Sequence, residues 1–225
     1  MGMSPADIAA GKNIRILVEN RTFNREFFNT LLQDQAGDSV YWWIDLCMPP
    51  EGYTALPHWR FNWPLWNLWM FYRDMERRMG RGSNLAWFGG LGSQRYPMGH
   101  SGDVIMSWES LQFQPRFTAT AANLNFGYWS HDLGGHKPNP TNESVSRDPE
   151  LYLRWLQWGT FAPTLRTHME HGKTRPTATA TGGQSGRTEN VWLYPEPFGP
   201  AMGDALRLRS RLVHPLRFPR ADRPP

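Results

Sequence analysis

A parallel α/β fold is what this sequence predicts, on three observations. Short apolar runs rich in β-formers alternate along the chain with segments of helical period. The loops that follow those runs are polar, Gly-rich and carry acidic residues, as at the carboxyl ends of parallel strands. The 225 residues, 40% of them hydrophobic, suffice for one domain with a real core.

The elements follow in order. Phe23, Phe27, Phe28, Leu31 and Leu32 recur at helical spacing over 22–32. After the Gly37-Asp38 turn, Ser39 to Ile44 reads as a buried strand ending at Asp45. Pro64 to Met79 reads as a helix, with proline at its start and Gly80 at its stop. Asn84 to Phe88 is the next strand, and Gly89 to Asp103 a Gly-rich loop. Trp108 to Leu124 is helical, Phe126 to Ser130 a strand, and His131 to Arg147 a loop. Asp148 caps a helix to about Trp158, with Glu150 in its first turn. Thr164 to Thr167 is a last strand and Pro200 to Val213 a last helix. Strands separated by helices pair in parallel through right-handed crossovers. The expected organisation is an irregular segment over 1–21, a main folded body over 22–214 with a flexible Thr/Ala/Gly insert at 174–187, and a disordered Pro-Arg tail over 215–225.

Composition excludes several function classes. The net charge of +4 is concentrated near the carboxyl end, at Arg207, Arg209, Arg211, Arg217, Arg220 and Arg223, and no nucleic-acid-binding signature accompanies it. No apolar run reaches the length of a membrane span. The single cysteine, Cys47, forbids an internal disulfide, and the first residues lack a signal-peptide layout, so a cytoplasmic location is slightly favoured. No P-loop, dinucleotide fingerprint or Gly-x-Ser-x-Gly elbow is present. The 12 tryptophans must line a core or a ligand cleft, and pyranose faces stack on such rings.

Asp45 closes an apolar strand, and Asp103 follows Gly102 in a loop that a glycine lets turn tightly. Each reads either as a cap or turn residue or as a functional carboxylate. Two carboxylates on neighbouring strand ends suit glycoside hydrolysis, in which retention needs a separation of about 5–5.5 Å. His131, His136, His168 and His171 make a metal site conceivable, but their spacing matches no zinc motif, so no metal is expected.

Several blocks, in order, resemble glycoside hydrolase family 31. They are Tyr41-Trp42-Trp43-Ile44-Asp45, Gly89 to Pro97, Ser101-Gly102-Asp103, Ser107 to Leu111, Tyr128 to His136, Glu150 to Gln157 and Arg166-Thr167-His168. The resemblance covers roughly Phe23 to His171, with a weaker stretch from Val191 to Val213. It implies a (β/α)8 barrel acting on α-linked glucosides or xylosides in carbohydrate metabolism, without metal or organic cofactor. It implies Asp45 as nucleophile, Asp103 as general acid/base, and Asp132 and His168 as hydrogen-bonding partners of the sugar. Trp43 and Trp108, inside the two carboxylate blocks, complete the expected substrate-binding set.

The chain also departs from the family. Trp87 stands where the family usually has an arginine sixteen residues before the acid/base, and an indole cannot supply that fork of donors. Leu46 to Pro50 departs from the polar runs common there. A closed barrel takes eight strands and about 250 residues, whereas about four strands are legible here. The expectation is therefore a partial barrel of about four βα units with irregular termini, lacking other barrel strands and flanking sandwich domains as partners. Weak or no activity and poor solubility follow from its open edges. The alternative is a vestigial, non-catalytic sugar-binding remnant.

Overall fold

The computed structural model describes residues 20–31, 41–45, 62–86, 90–96, 98–170 and 190–216. The chain forms two compact units, Met1–Pro97 and Met98–Pro225.

In the first unit, α1 (Arg21–Glu26) is capped by the Asn20 side chain, which accepts from the Thr22 and Phe23 N–H groups, and it continues as a π-turn, Phe27–Leu31. Strand β1 (Trp42–Ile44) pairs in parallel with β2 (Asn84–Ala86), in the register Trp42 to Asn84. Between them runs α2 (Trp63–Met79). Every device that delimits α2 is local: the Asn62 side chain accepts from the Leu65 N–H, Pro64 sits in the first turn, and Gly80 closes the helix at φ 73°. Arg77 and Arg78 in its last turn face the negative end of the helix dipole. Leu68 packs with Ile44 and Ala86, flanked by Trp42, Phe71 and Tyr96. The Trp42 indole donates to Asp74 at 2.8 Å, and Arg78 grips the same carboxylate at 2.7 Å, so β1 is tied to α2 by polar as well as apolar contact.

The second unit repeats the pattern. Strand β3 (Gly99–His100) pairs in parallel with β4 (Trp129–Ser130). The connecting α3 (Trp108–Asn123) starts at Ser107, whose hydroxyl accepts from the Ser110 N–H. Helix α4 (Pro149–Gly159) starts at the Asp148 cap, and α5 (Phe198–Leu216) packs against it. The core gathers Trp155, Leu156, Leu151, Leu133, Met106 and Met202, all nearly inaccessible. Arg209 on α5 donates to the carbonyls of Thr160 at 3.1 Å and Pro163 at 2.9 Å, and also to that of Ala162. Arg207 pairs with Asp204. Two of the arginines behind the basic charge are thus engaged within the fold.

The strands differ from expectation in where they form and in length. The stretch Gly89 to Asp103, expected as plain loop, holds a 3-10 turn (Ser93–Arg95) and β3. Two residues of strand in a Gly-rich stretch leave no periodicity to read; β3 exists because the Tyr128 and Ser130 carbonyls accept from the Gly99 and Ser101 N–H groups. Conversely, Thr164 to Thr167 forms two isolated parallel bridges, Ser130 with Thr164 and Leu133 with Thr167, rather than a regular strand. Strands β1, β2 and β4 are also shorter than their apolar runs. Trp87, His171, the 174–187 insert and the tail beyond 216 lie outside the described residues.

Candidate functional site

The second unit assembles its polar groups on the loops that follow β3 and β4. After β4 the chain runs His131-Asp132-Leu133-Gly134-Gly135-His136 and is buried from His131 to Gly135. The turn closes with the Gly135 N–H donating to the Asp132 carbonyl at 2.9 Å. Gly134 and Gly135 have φ of 98° and 87°, a region that other residues enter at a cost. The turn returns His136 to the same side as Asp132. The Leu133–Thr167 bridge and the Glu170 N–H, which donates to the His136 carbonyl at 2.9 Å, lay the segment carrying Arg166 and His168 beside it.

Asp132 is the centre of the cluster and only 1% exposed. The Arg166 guanidinium donates to its Oδ1, and His136 Nδ1 stands 3.2 Å from its Oδ2. His100 Nδ1 is 3.9 Å from Oδ1 and accepts from the Gly102 N–H at 3.1 Å. Burial pushes the Asp132 carboxyl up to about 6, against the opposing pull of Arg166 and His136. Burial, aided by the Arg166 charge, lowers His100 to about 3. His131 is lowered to about 4 by burial; its Nε2 accepts from the Trp158 indole at 3.0 Å.

Asp103 lies in the loop after β3, half-buried, where Gly102 takes φ 75° as its place in the turn requires. Lys137 Nζ is 3.2 Å from its Oδ2 and His136 Nε2 is 3.8 Å from its Oδ1. His136 therefore stands between two carboxylates. Its ring centroid is 4.8 Å from that of His168.

Of the expected site residues, Asp103, Asp132 and His168 thus belong to one neighbourhood linked through His136. Asp45 belongs to the first unit, exposed directly after β1, beside Trp43 on that strand. Trp43 is 46% and Trp108 40% exposed, so neither is buried in the core. Trp108 opens α3. Of the four histidines considered together in the sequence, His136 and His168 meet, while His131 turns to Trp158 and Thr118. His100 was not distinguished by sequence reading; the one available signal was its place at the end of a strand, and that strand was not legible. A concavity of about 1040 Å³ between α4 and α5, lined by Gln157, Phe161, Asp204 and Arg207 among others, contains none of these residues.

Comparison with known proteins agrees with this architecture. The profile of the "Glycosyl hydrolases family 31 TIM-barrel domain" matches residues 21–216. Alpha-xylosidase A of Aspergillus niger is 38% identical over 91 residues, which is 38% of this chain and 12% of that protein. An alpha-xylosidase of Saccharolobus solfataricus is 31% identical over 129 residues, 54% of this chain and 14% of that one. The chain therefore spans well under a fifth of the length of these curated relatives. Among solved structures, a xylosidase from Aspergillus niger superposes with a TM-score of 0.66 at 21% identity, covering 89% of this chain and 33% of that one. A glucosidase II alpha subunit does so with 0.63 at 21% identity, covering 85% of this chain and 21% of that one. At that identity the superpositions establish the fold, a partial α/β barrel, and the profile match establishes the family: the chain belongs to glycoside hydrolase family 31.

Proposed function

We propose that the chain carries the nucleophile and acid/base segments of a retaining α-glycoside hydrolase of the α-glucosidase or α-xylosidase type, with impaired activity by itself. The observation that carries this reading is the buried Asp132, fixed by Arg166 and His136 at the end of a parallel strand, with Asp103 beside the same histidine. Burying a carboxylate is costly, and a position outside the apolar core that nevertheless holds one, ringed by polar donors, is suited to gripping sugar hydroxyls. The names of the relatives, alpha-xylosidases and alpha-glucosidases, support the substrate class.

In this mechanism the Asp45 carboxylate attacks the anomeric carbon while the glycosidic C–O bond breaks. Asp103 gives its proton to the departing oxygen. Asp103, now a carboxylate, takes a proton from water, whose oxygen displaces Asp45 and releases the sugar with its configuration retained. Asp132 and His168 orient the sugar through its hydroxyls, and Trp43 and Trp108 offer ring faces to its apolar side. A second reading, a non-catalytic sugar-binding remnant, is favoured by Trp87, which stands where the family usually has a subsite arginine.

The test is p-nitrophenol release from the α-glucoside, α-xyloside and α-galactoside by the purified chain. Weak release by the unaltered chain, abolished by Asp45→Ala and reduced about 10²–10⁴-fold by Asp103→Ala, is expected. Release indifferent to Asp45→Ala would overturn the nucleophile assignment. No release from a folded chain that still binds the free sugars would favour the remnant.

A further inference from the structure

We propose that Asp132, His136 and His168 chelate a divalent transition ion, zinc foremost. One ligand atom from each of the three lies within 4.8 Å of the others. A tetrahedral zinc ion with ligands at about 2.0–2.1 Å sets them about 3.3 Å apart. His136 Nδ1 and Asp132 Oδ2 already stand 3.2 Å apart, the edge such an ion requires. The remaining edges, to His168, are no longer than 4.8 Å and shorten as its side chain, whose ring is tilted 34° to that of His136, turns towards the ion.

The backbone holds the three residues in place without an ion. The Gly135 N–H to Asp132 carbonyl bond shapes the turn between the first two ligands. The Leu133–Thr167 bridge and the Glu170 N–H to His136 carbonyl bond fix the third beside them. The surroundings also suit a metal. Arg166 holds Asp132 through Oδ1, leaving Oδ2 on the side of the histidines. His136 presents its other nitrogen towards Asp103, the arrangement in which an outer carboxylate orients a ligating imidazole. Two imidazoles and one carboxylate leave a fourth position to water or a ligand. Such a donor set favours zinc, copper or nickel over magnesium or calcium, which want all-oxygen shells. Arg166 and Lys137 offset the negative charge of Asp132 and Asp103, so the site is one of moderate strength. Where Asp132 and His168 also hold the sugar, the ion excludes it; that consequence rests on the proposed function, whereas binding of the ion does not.

Zinc titration of the chelator-treated chain by calorimetry, with cobalt replacing zinc for visible spectroscopy, tests the site. We expect one ion per chain, in the micromolar range. The cobalt form should show the d–d bands of a low-coordinate nitrogen- and oxygen-ligated ion. His136→Phe and His168→Phe should each weaken binding at least tenfold, while His131→Gln, whose ring faces Trp158, should leave it unchanged. Because a variant can lose its fold, circular dichroism accompanies each, and X-ray absorption of the zinc-loaded unaltered chain should count two imidazoles. Absence of saturable binding, or an ion with no imidazole ligands, overturns the proposal. If zinc binds as expected but methyl α-glycosides do not compete with it, the metal site stands and the sugar assignment of Asp132 and His168 fails.

Discussion

Replacing Gly135 by alanine puts a methyl group into a place bounded on two sides by backbone. The residue has φ 87°, where an L side chain costs about 1–2 kcal/mol. The new Cβ would stand 2.7 Å from Met106 Cα and 2.9 Å from its nitrogen, inside any tolerable contact. Met106 cannot step aside freely, because its N–H donates to the Lys137 carbonyl at 2.8 Å. The His136 and Lys137 N–H groups donate in turn to the Val104 carbonyl at 2.8 and 3.0 Å, closing the same ladder. Losing two of these bonds at about 1 kcal/mol each, added to the backbone term, gives a destabilisation of about 3–4 kcal/mol. Gly80→Ala isolates the backbone term: it has φ 73°, and an added Cβ would meet nothing within 4 Å, so only that term of about 1–2 kcal/mol is expected. Urea unfolding followed by tryptophan fluorescence measures both. Equal losses for the two variants would refute the argument that backbone crowding at Gly135, rather than φ alone, holds the turn between Asp132 and His136.

Two further predictions concern the buried charges. At about pH 5 the folded His100 and His131, lowered to about 3 and about 4 from 6.5, are neutral and each takes up a proton on unfolding. Asp132, raised to about 6 from 3.8, is protonated when folded and releases one. Two taken up less one released leaves one, so stability rises with pH there by about 1.4 kcal/mol per unit. The histidine contribution is present above 6.5 and lost as pH falls through the folded values, whereas that of Asp132 is present at acid pH and lost as pH rises through 6. Urea midpoints with EDTA present, alongside His131→Gln, whose slope should fall by about 1.4 kcal/mol per unit, test the count; identical slopes would contradict it. Arg166→Met removes the cation beside Asp132, whose carboxyl, already raised to about 6, then holds its proton more readily, and should cost about 1–3 kcal/mol at neutral pH, with part of that loss recovered in acid as Asp132 takes a proton. A loss independent of pH would mean that the arginine acts by packing alone.

The helices were legible because their signals are local. Asn62, Pro64 and Gly80 bracket α2, and Asp148 with Pro149 starts α4, each within a turn of the element it bounds. The family blocks likewise identified Asp103, Asp132 and His168 as residues of interest, since motif order is a property of the chain itself. His100 and His136 carry no such local signal, because what matters about them is which groups they face.

The sequence by itself determined the family, the parallel α/β class, and the starts and stops of the main helices. These rest on bonds between residues about four apart and on side chains that cap their own neighbours. Only the tertiary structure decided that Gly99 and His100 form a strand, that Thr164 to Thr167 contributes bridges rather than one, and that His136 links Asp132 to Asp103 and His168. A strand needs a partner, and here the partner of β3 lies thirty residues further along, at Trp129 and Ser130. The cluster needs the Leu133–Thr167 bridge, which no local pattern encodes.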